Sequence, residues 1–270
     1  MKAKLSPPPN VRNKLHDNLV MYFTPNPGWD PRDIQWFDGF GWQLSARMAL
    51  QKYCLKSNAV VFDVGCNIEG NLDNFTGLVL SRLPNCTVHG FDPLHWGSYK
   101  EMYNKDERVK LHKIALSEKD CSKKLYSPTA TGLSSFHLRK AWQTWPDEAQ
   151  RQIQEKRVKC RSIDSFSKEM GINYIDYLKL DCEGAELEVL LGASRLISQR
   201  RIGLIQVEDQ TGFIADAGFD CQERLCLFLE ENGYQPIAYD RENFVWRLDG
   251  DMEYANEKNQ RMDALAGSNP

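Results

Sequence analysis

Short apolar runs of period two alternate along this chain with stretches of helical period. Ala59-Val-Val-Phe-Asp-Val64 is apolar and closes on Gly65, which predicts a buried strand ending in a turn. Leu72 to Leu83 has helical spacing. Cys86 to Asp92 predicts a second strand, Trp96 to Asn104 a second helix and Val109 to Ala115 a third strand. The rhythm then breaks across 116–160. That stretch predicts a hairpin around Lys124-Leu-Tyr126, a Ser/Thr/Gly loop at 127–135, and a charged helix from about Pro146 to Gln154. A short helix starts at Ser162. Next comes Tyr177 to Leu180, apolar except for Lys179, followed by three acids, Asp181, Glu183 and Glu186, around Gly184. Past that glycine, Ala185, Leu187, Val189, Leu190 and Leu191 mark the buried side of a helix. Ile202 to Glu208 predicts another strand, and Gln222 to Asn232 a helix with Gly233 as its C-cap. Tyr234 to Tyr239 and Asn243 to Leu248 pair as a terminal antiparallel hairpin. Such alternation predicts a doubly wound α/β sheet, mainly parallel, with one antiparallel strand supplied by the hairpin.

The flanks are different. Residues 1–57 read as an arm with Pro7-Pro8-Pro9, an aromatic-rich strap over 21–43 and a helix from Gln43 to Leu55 leading into the main domain at 58–248. The strap either packs on the core or forms a lid or sugar-stacking wall. Residues 249–270 form a polar tail. The 270 residues suffice for one large domain, and 41% hydrophobic with 26% charged residues is ordinary for a globular chain. A net charge of −3 gives no electrostatic case for nucleic acid; Arg151 to Arg157 and Gln199 to Arg201 read as solvated faces. No run approaches the ~20 apolar residues of a membrane helix. Met1 to Asn10 has no apolar core, so no secretory signal is expected. Eight cysteines without a C-x-x-C pair argue for small buried hydrophobes in a reduced, cytoplasmic chain rather than a zinc site.

Three places carry candidate chemistry, each at the end of a strand, where open parallel sheets bind ligands. Asp63-Val-Gly-Cys-Asn-Ile-Glu-Gly70 is a strand–glycine turn–helix junction without the G-x-G-x-x-G spacing of a pyrophosphate loop. The acid at its head repels pyrophosphate and suits a ligand carrying an ammonium or sulfonium charge. Asp92, about 22 residues after Gly70, stands where an acid holds the ribose hydroxyls of an adenosine ligand, or where it caps the next helix. Asp181 and Glu183 follow the strand with Lys179, and are also placed to cap the helix after Gly184. Lys179 either reaches the strand end or pairs with an acid. His112 reads as a strand-face histidine, and His137, Trp142 and Trp145 as acceptor-side or packing residues.

Val61-Phe-Asp-Val-Gly-Cys-Asn67, Gly90-Phe-Asp-Pro93, Ile114-Ala-Leu-Ser117, Gly132-Leu-Ser-Ser135, Ser162-Ile-Asp-Ser165 and Leu178-Lys-Leu-Asp-Cys-Glu-Gly-Ala-Glu-Leu-Glu-Val-Leu-Leu-Gly-Ala193 resemble, in order and spacing, the motifs of FkbM-type methyltransferases over roughly residues 58–240. The resemblance implies a class I, Rossmann-like methyltransferase fold with a seven-stranded sheet whose last strand is antiparallel. It also implies S-adenosylmethionine as cofactor and a hydroxyl acceptor on a saccharide or on a polyketide or other natural product. It assigns the cofactor to Asp63, Gly65, Cys66, Asn67, Gly70, Asp92, Pro93, Ala115 and Leu116. Glu69 stands where the family usually has glycine, which implies a turn one residue longer.

A methyl group on a sulfonium is already activated, so the protein must align the acceptor oxygen and remove its proton. Asp181 and Glu183 are the first candidates for that base, with Lys179 and Glu208 next. Asp181, Glu183, Glu208 and Asp209 also offer hard oxygen ligands, although a divalent metal is not the favoured reading and no metal ligand is assigned. Two rivals are a nicotinamide-dependent oxidoreductase, which lacks its pyrophosphate loop here, and a non-catalytic adenosine-binding scaffold, which has no need of this set of acids.

Overall fold

In the computed structural model, residues 35–36, 44–53, 55–66, 74–128, 134–138, 142, 146–150, 152–208, 219–239 and 243–249 are described. The chain runs β1 (Gln35–Trp36), α1 (Leu44–Lys52), β2 (Val60–Val64), α2 (Phe75–Arg82), β3 (Thr87–Phe91), α3 (Gly97–Tyr103), β4 (Val109–His112), β5 (Ala115–Leu116), β6 (Cys121–Pro128), α4 (Asp147–Gln150), β7 (Ile153–Arg161), α5 (Ile163–Met170), β8 (Ile175–Leu180), α6 (Glu186–Leu191), α7 (Ser194–Ser198), β9 (Ile202–Glu208), α8 (Phe219–Glu231), β10 (Tyr234–Tyr239) and β11 (Asn243–Leu248).

The main sheet has the order β1-β10-β11-β9-β8-β2-β3-β4. From β4 across to β10 it is the expected seven-stranded sheet, and β11 is antiparallel to both its neighbours. The two-residue β1 adds an eighth, parallel strand beside β10. Strand order reverses between β2 and β8: β3 and β4 lie to one side, β9 to the other. Ligands bind at such a switch point, at the carboxyl ends of the strands. Here those ends are Asp63-Val64 and Lys179-Leu180, paired residue for residue.

Both faces are covered, which is why the strands read as continuous apolar runs. Residues two apart share a face. Phe62, Val64, Leu178, Leu180, Ile205 and Val207 pack with Phe166, Leu187, Leu190, Leu225 and Leu229 from α5, α6 and α8. Val61, Tyr177 and Leu204 pack on the other side with Ala46, Ala49, Phe75 and Val79 from α1 and α2. Local chemistry sets the helix ends. Asn74 caps α2 by accepting from Gly77 N at 2.9 Å, and Ser162 caps α5 by accepting from Ser165 N. Gly233, at φ +80°, closes α8 with its N–H on Glu230 O, as expected of a C-cap.

The stretch 116–160 departs from expectation in three ways. The third strand ends at His112, and Ala115–Leu116 belongs to a second sheet of order β5-β7-β6. The strand around Lys124 to Tyr126 pairs along its length with β7, far along the chain, and its local return is a bridge from Tyr126 to Ser135. The charged helix is only Asp147–Gln150, and Ile153 to Arg161 is a strand. Val158 and Cys160 are buried while Arg157 and Lys159 are exposed; that alternation of period two is masked upstream by four exposed polar residues, Gln154 to Arg157. Those basic side chains are solvated, as expected. The arm, nearly all of the strap and the C-terminal tail lie outside the described residues.

Candidate active site

The centre of the switch point is a buried ion pair. Asp63 and Lys179 are register partners on β2 and β8, and their side chains are 3% and 5% exposed. They project to the α2 face, as Val61 and Tyr177 do. Lys179 Nζ lies 3.4 Å from Asp63 Oδ1, 3.0 Å from Asp181 Oδ2, and donates to Gly65 O at 3.1 Å. Burial opposes its charge, but the Asp181 and Asp63 carboxylates outweigh burial and hold its pKa above the ordinary lysine range. Thr76, on α2, donates to Asp63 Oδ2 at 2.7 Å and contacts the buried Tyr99 hydroxyl at 2.9 Å. Asp63 therefore supports the glycine turn from beneath, and Lys179 both reaches the strand end and pairs with acids.

The turn itself is pinned to its neighbours. Gly65 sits at φ +76°, and a Cβ there would lie 1.8 Å from Asp181 O; only glycine permits that backbone approach. The N–H groups of Gly65 and Cys66 both go to Phe91 O, at 2.9 and 3.3 Å, and Asp181 N donates to Val64 O. Cys66 is buried, and burial followed by the Asp63 and Asp92 charges pushes its thiol well up. Asn67 and Gly70 lie outside the described residues.

Asp92 follows β3 beside this turn. Its Oδ1 accepts from Leu94 N at 2.7 Å and His95 N at 2.5 Å. It thus caps the loop Pro93–His95, not α3, whose N-cap is Trp96. Those two bonds fix the carboxylate plane without occupying Oδ2. Burial raises the Asp92 pKa, opposed by the two N–H donors. Pro93 is half-buried. Ala115 and Leu116 pair with Cys160 and Arg161 in the second sheet.

Across the switch point stands the acid turn. Glu183 adopts φ +55° and Gly184 φ +100°; a non-glycine residue in the left-handed region costs of order 1 kcal/mol and needs support. Glu186 supplies it: buried to 3%, its Oε1 accepts from Cys182 N at 2.8 Å and Gly184 N at 3.3 Å. Burial pushes its carboxyl up to about 7. Ser135 Oγ donates to Glu183 O at 2.7 Å from the opposite wall. On this scaffold Asp181, Glu183 and Glu208 each bring a carboxylate oxygen to within 4.8 Å of the others. Burial, then the charges of Asp181, Glu183 and Glu186, push Glu208 well above the carboxylate range, and Asp181 hydrogen-bonds it. Asp209 lies outside the described residues.

The structure joins a further group that the sequence reading left unassigned. His95 Nε2 meets Ser134 Oγ at 2.8 Å and Ser127 Oγ at 3.4 Å, and Ser134 donates to Ser127 at 3.0 Å. Ser134 and Ser135 thus tie the loop beside Asp92 to the acid turn. The Gly132-Leu-Ser-Ser135 motif was the available signal for them; nothing in the sequence marked Thr76 or Tyr99, whose partners come from other elements. His112 stacks on His89 at a centroid distance of 5.2 Å and lies against Phe166, a strand-face position away from the acids. His137 is exposed and Trp142 buried. Trp145 lies outside the described residues.

Residues 63–236 match the family model described as methyltransferase FkbM domain. Among solved structures, the chain is similar to methyltransferase FkbM from Methylobacillus flagellatus KT, at 14% identity and a TM-score of 0.47, over 88% of this chain and 56% of that one. It therefore spans a little over half that protein's length. It is also similar to precorrin-6y C5,15-methyltransferase from Geobacter metallireducens GS-15, at 13% identity and a TM-score of 0.38, over 81% of this chain and 95% of that one. No curated protein matches it significantly.

Proposed function

The chain belongs to the methyltransferase FkbM domain family, and on that premise we propose that it uses S-adenosylmethionine to methylate a hydroxyl group of a saccharide or glycoconjugate. One observation carries the reading: the switch point sets an oriented carboxylate suited to ribose, Asp92, beside a converging set of acids at Asp181, Glu183 and Glu208. When bound, S-adenosylmethionine supplies a methyl group activated by its sulfonium. The chain does the rest. Asp92 accepts from the ribose hydroxyls through the oxygen its loop leaves unused. Ala115 and Leu116 border the adenine. Asp181, with its side chain 36% exposed, would accept the proton of the acceptor hydroxyl. Glu208 retains a proton and orients Asp181 through their hydrogen bond. Lys179 fixes Asp181 from the other side at 3.0 Å. Glu183, on its left-handed turn, positions the acceptor. The setting belongs to the proposal too: a cytoplasmic one suits the free thiols at Cys66, Cys86, Cys121, Cys160, Cys182 and Cys226, and no described helix is long and apolar enough to cross a membrane.

Ligand-dependent melting tests this directly. S-adenosylhomocysteine at a hundred times its dissociation constant stabilises by about 2.7 kcal/mol and raises the midpoint, whereas NADH does not. Asp181→Asn keeps that shift and loses turnover; Asp92→Asn loses the shift. A shift with NADH but not with S-adenosylhomocysteine would overturn the assignment. Mass spectrometry of glycans from cells with and without the protein identifies the acceptor.

The convergence of the three acids favours a second reading of their role. A divalent cation held by the same oxygens would replace the Glu208 proton and acidify the acceptor hydroxyl. On that reading magnesium adds to the melting shift given by S-adenosylhomocysteine, and Glu208→Gln abolishes the addition. On the proton reading, neither magnesium nor EDTA moves the midpoint.

A further inference from the structure

The second sheet holds two thiols face to face. Cys121 opens β6 and Cys160 lies near the end of β7, and the two are direct partners in the antiparallel ladder. Directly opposite residues project their side chains to the same face of a sheet. Both belong to one apolar cluster with Ala115, Leu125 and Val158, and both are free thiols. Burial, followed by the neighbouring Cys121, pushes Cys160 up to about 11. Opposite residues of an antiparallel pair have Cα atoms about 4.5–5.5 Å apart, inside the range of about 4.4–6.8 Å that a disulfide spans.

We propose that Cys121 and Cys160 form a peroxide-sensitive modification site, oxidised to a cross-strand disulfide and returned to two thiols by a dithiol reductant. Exposure sets the order of events. Cys121 is half-buried and Cys160 fully buried, so a small peroxide reaches Cys121 first. The Cys121 sulfur attacks the peroxide, the O–O bond breaks, and a sulfenic acid and one water form. The Cys160 sulfur then attacks the Cys121 sulfur, the S–O bond breaks, and the hydroxide leaves with the Cys160 proton as a second water. Two thiols lose two protons and two electrons, and the peroxide takes up both to become two waters. Opposite Cβ atoms lie about 4.5–5.5 Å apart, against about 3.5–4.5 Å across a disulfide. The bond therefore draws the strands together under strain, which places it with the readily reduced, labile disulfides.

Its position gives the bond a mechanical consequence. Cys160 has Cys121 on one side and Ala115 on the other. Among the described residues, β6 is the edge of the three-stranded sheet, held by β7 apart from a bridge between Tyr126 and Ser135. Oxidation staples this edge strand to β7, the strand against which Ala115 and Leu116 pair.

The test uses the intact protein and hydrogen peroxide. Non-reducing peptide mapping is expected to show a linked Cys121–Cys160 peptide pair, lighter than the free pair by two hydrogens and released by dithiothreitol. Cys121→Ser abolishes the linked pair, whereas Cys86→Ser leaves it intact. Amide exchange across 121–128 slows in the oxidised protein and recovers on reduction. Oxidation of Cys121 to the sulfinic acid without a linked peptide would overturn the proposal, as would a Cys121 disulfide with any other cysteine. Unchanged exchange across β6 in protein shown by mass to be fully linked would overturn its mechanical part.

Discussion

Lys179→Met isolates the buried ion pair at the switch point. Methionine keeps the length and apolar stem of lysine but removes the ammonium, so packing along β8 changes little. Asp181 tolerates the loss, because its side chain is 36% exposed and water screens it. Asp63 does not: its side chain is 3% exposed, Thr76 is left as its hydrogen-bond donor, and its charge has no other nearby cation among the described residues. Removing one partner of a buried pair costs about 3–5 kcal/mol, because the remaining charge stays desolvated. For a chain of this size each kcal/mol moves the midpoint by about 2–4 °C, so the variant should melt roughly 6–20 °C lower. Urea unfolding with a fitted midpoint and slope measures the loss. Adding Asp63→Asn to Lys179→Met should recover at least half of it, since the orphaned charge is gone. A loss under about 1 kcal/mol, or a double variant no more stable than Lys179→Met alone, would refute the claim that Asp63 and Lys179 support each other.

Three further outcomes follow from the structure. The rings of His89 and His112 lie 3.0 Å apart at Nδ1 and Nε2, and burial lowers both to about 4, aided at His89 by the His112 charge. Unfolding lets each take a proton near its ordinary pKa of about 6.5. Stability is therefore fully present above that value and is lost as pH falls through 6.5 toward 4. His89 alone should cost about 2 kcal/mol between pH 7 and 5, and His89→Phe should flatten the urea-midpoint profile over that range. Gly65→Ala should abolish the melting shift with S-adenosylhomocysteine or prevent folding, because its Cβ falls 1.8 Å from Asp181 O. Gly192→Ala, whose added Cβ would lie 2.1 Å from Ser117 O, should lower the midpoint, read by the same scan.

The most legible stretches were those in which one strand and one helix carry their own period. Tyr177 to Leu191 announced itself by a change of period across Gly184, and the structure places Asp181 and Glu183 on that turn. The terminal hairpin and the cap at Gly233 were legible for the same local reason. What the sequence concealed was non-local. β6 pairs with β7 across a long connection, and no turn residue near Tyr126 encodes that choice. Chain continuity suggested one strand through Ala115, yet the backbone leaves β4 at His112 and enters the other sheet at Ala115. Asp63 was legible as a strand-end acid, but its orientation depends on Thr76, whose hydroxyl lies in the first turn of α2 with no local signal of its partner. Glu186 was visible among the acids of the turn. Its task of holding Cys182 and Gly184 needed the reversal of direction at Glu183, which no local residue preference dictates.

The contact between Gly65 and the Asp181 carbonyl limits how the site can be remade. The two turns touch backbone to backbone, so neither can be lengthened, shifted or given a bulkier residue without displacing the other. On the proposed function, the cofactor side and the proton-accepting side behave as one block of fixed shape. Variation in what is methylated must come from parts that border the block without belonging to it. The segment at Ser134 to Leu138 is one, meeting the block through Ser135 on Glu183. Directed evolution toward a new acceptor should accordingly randomise Phe136, His137 and Leu138, and leave 63–66 and 179–186 as they are.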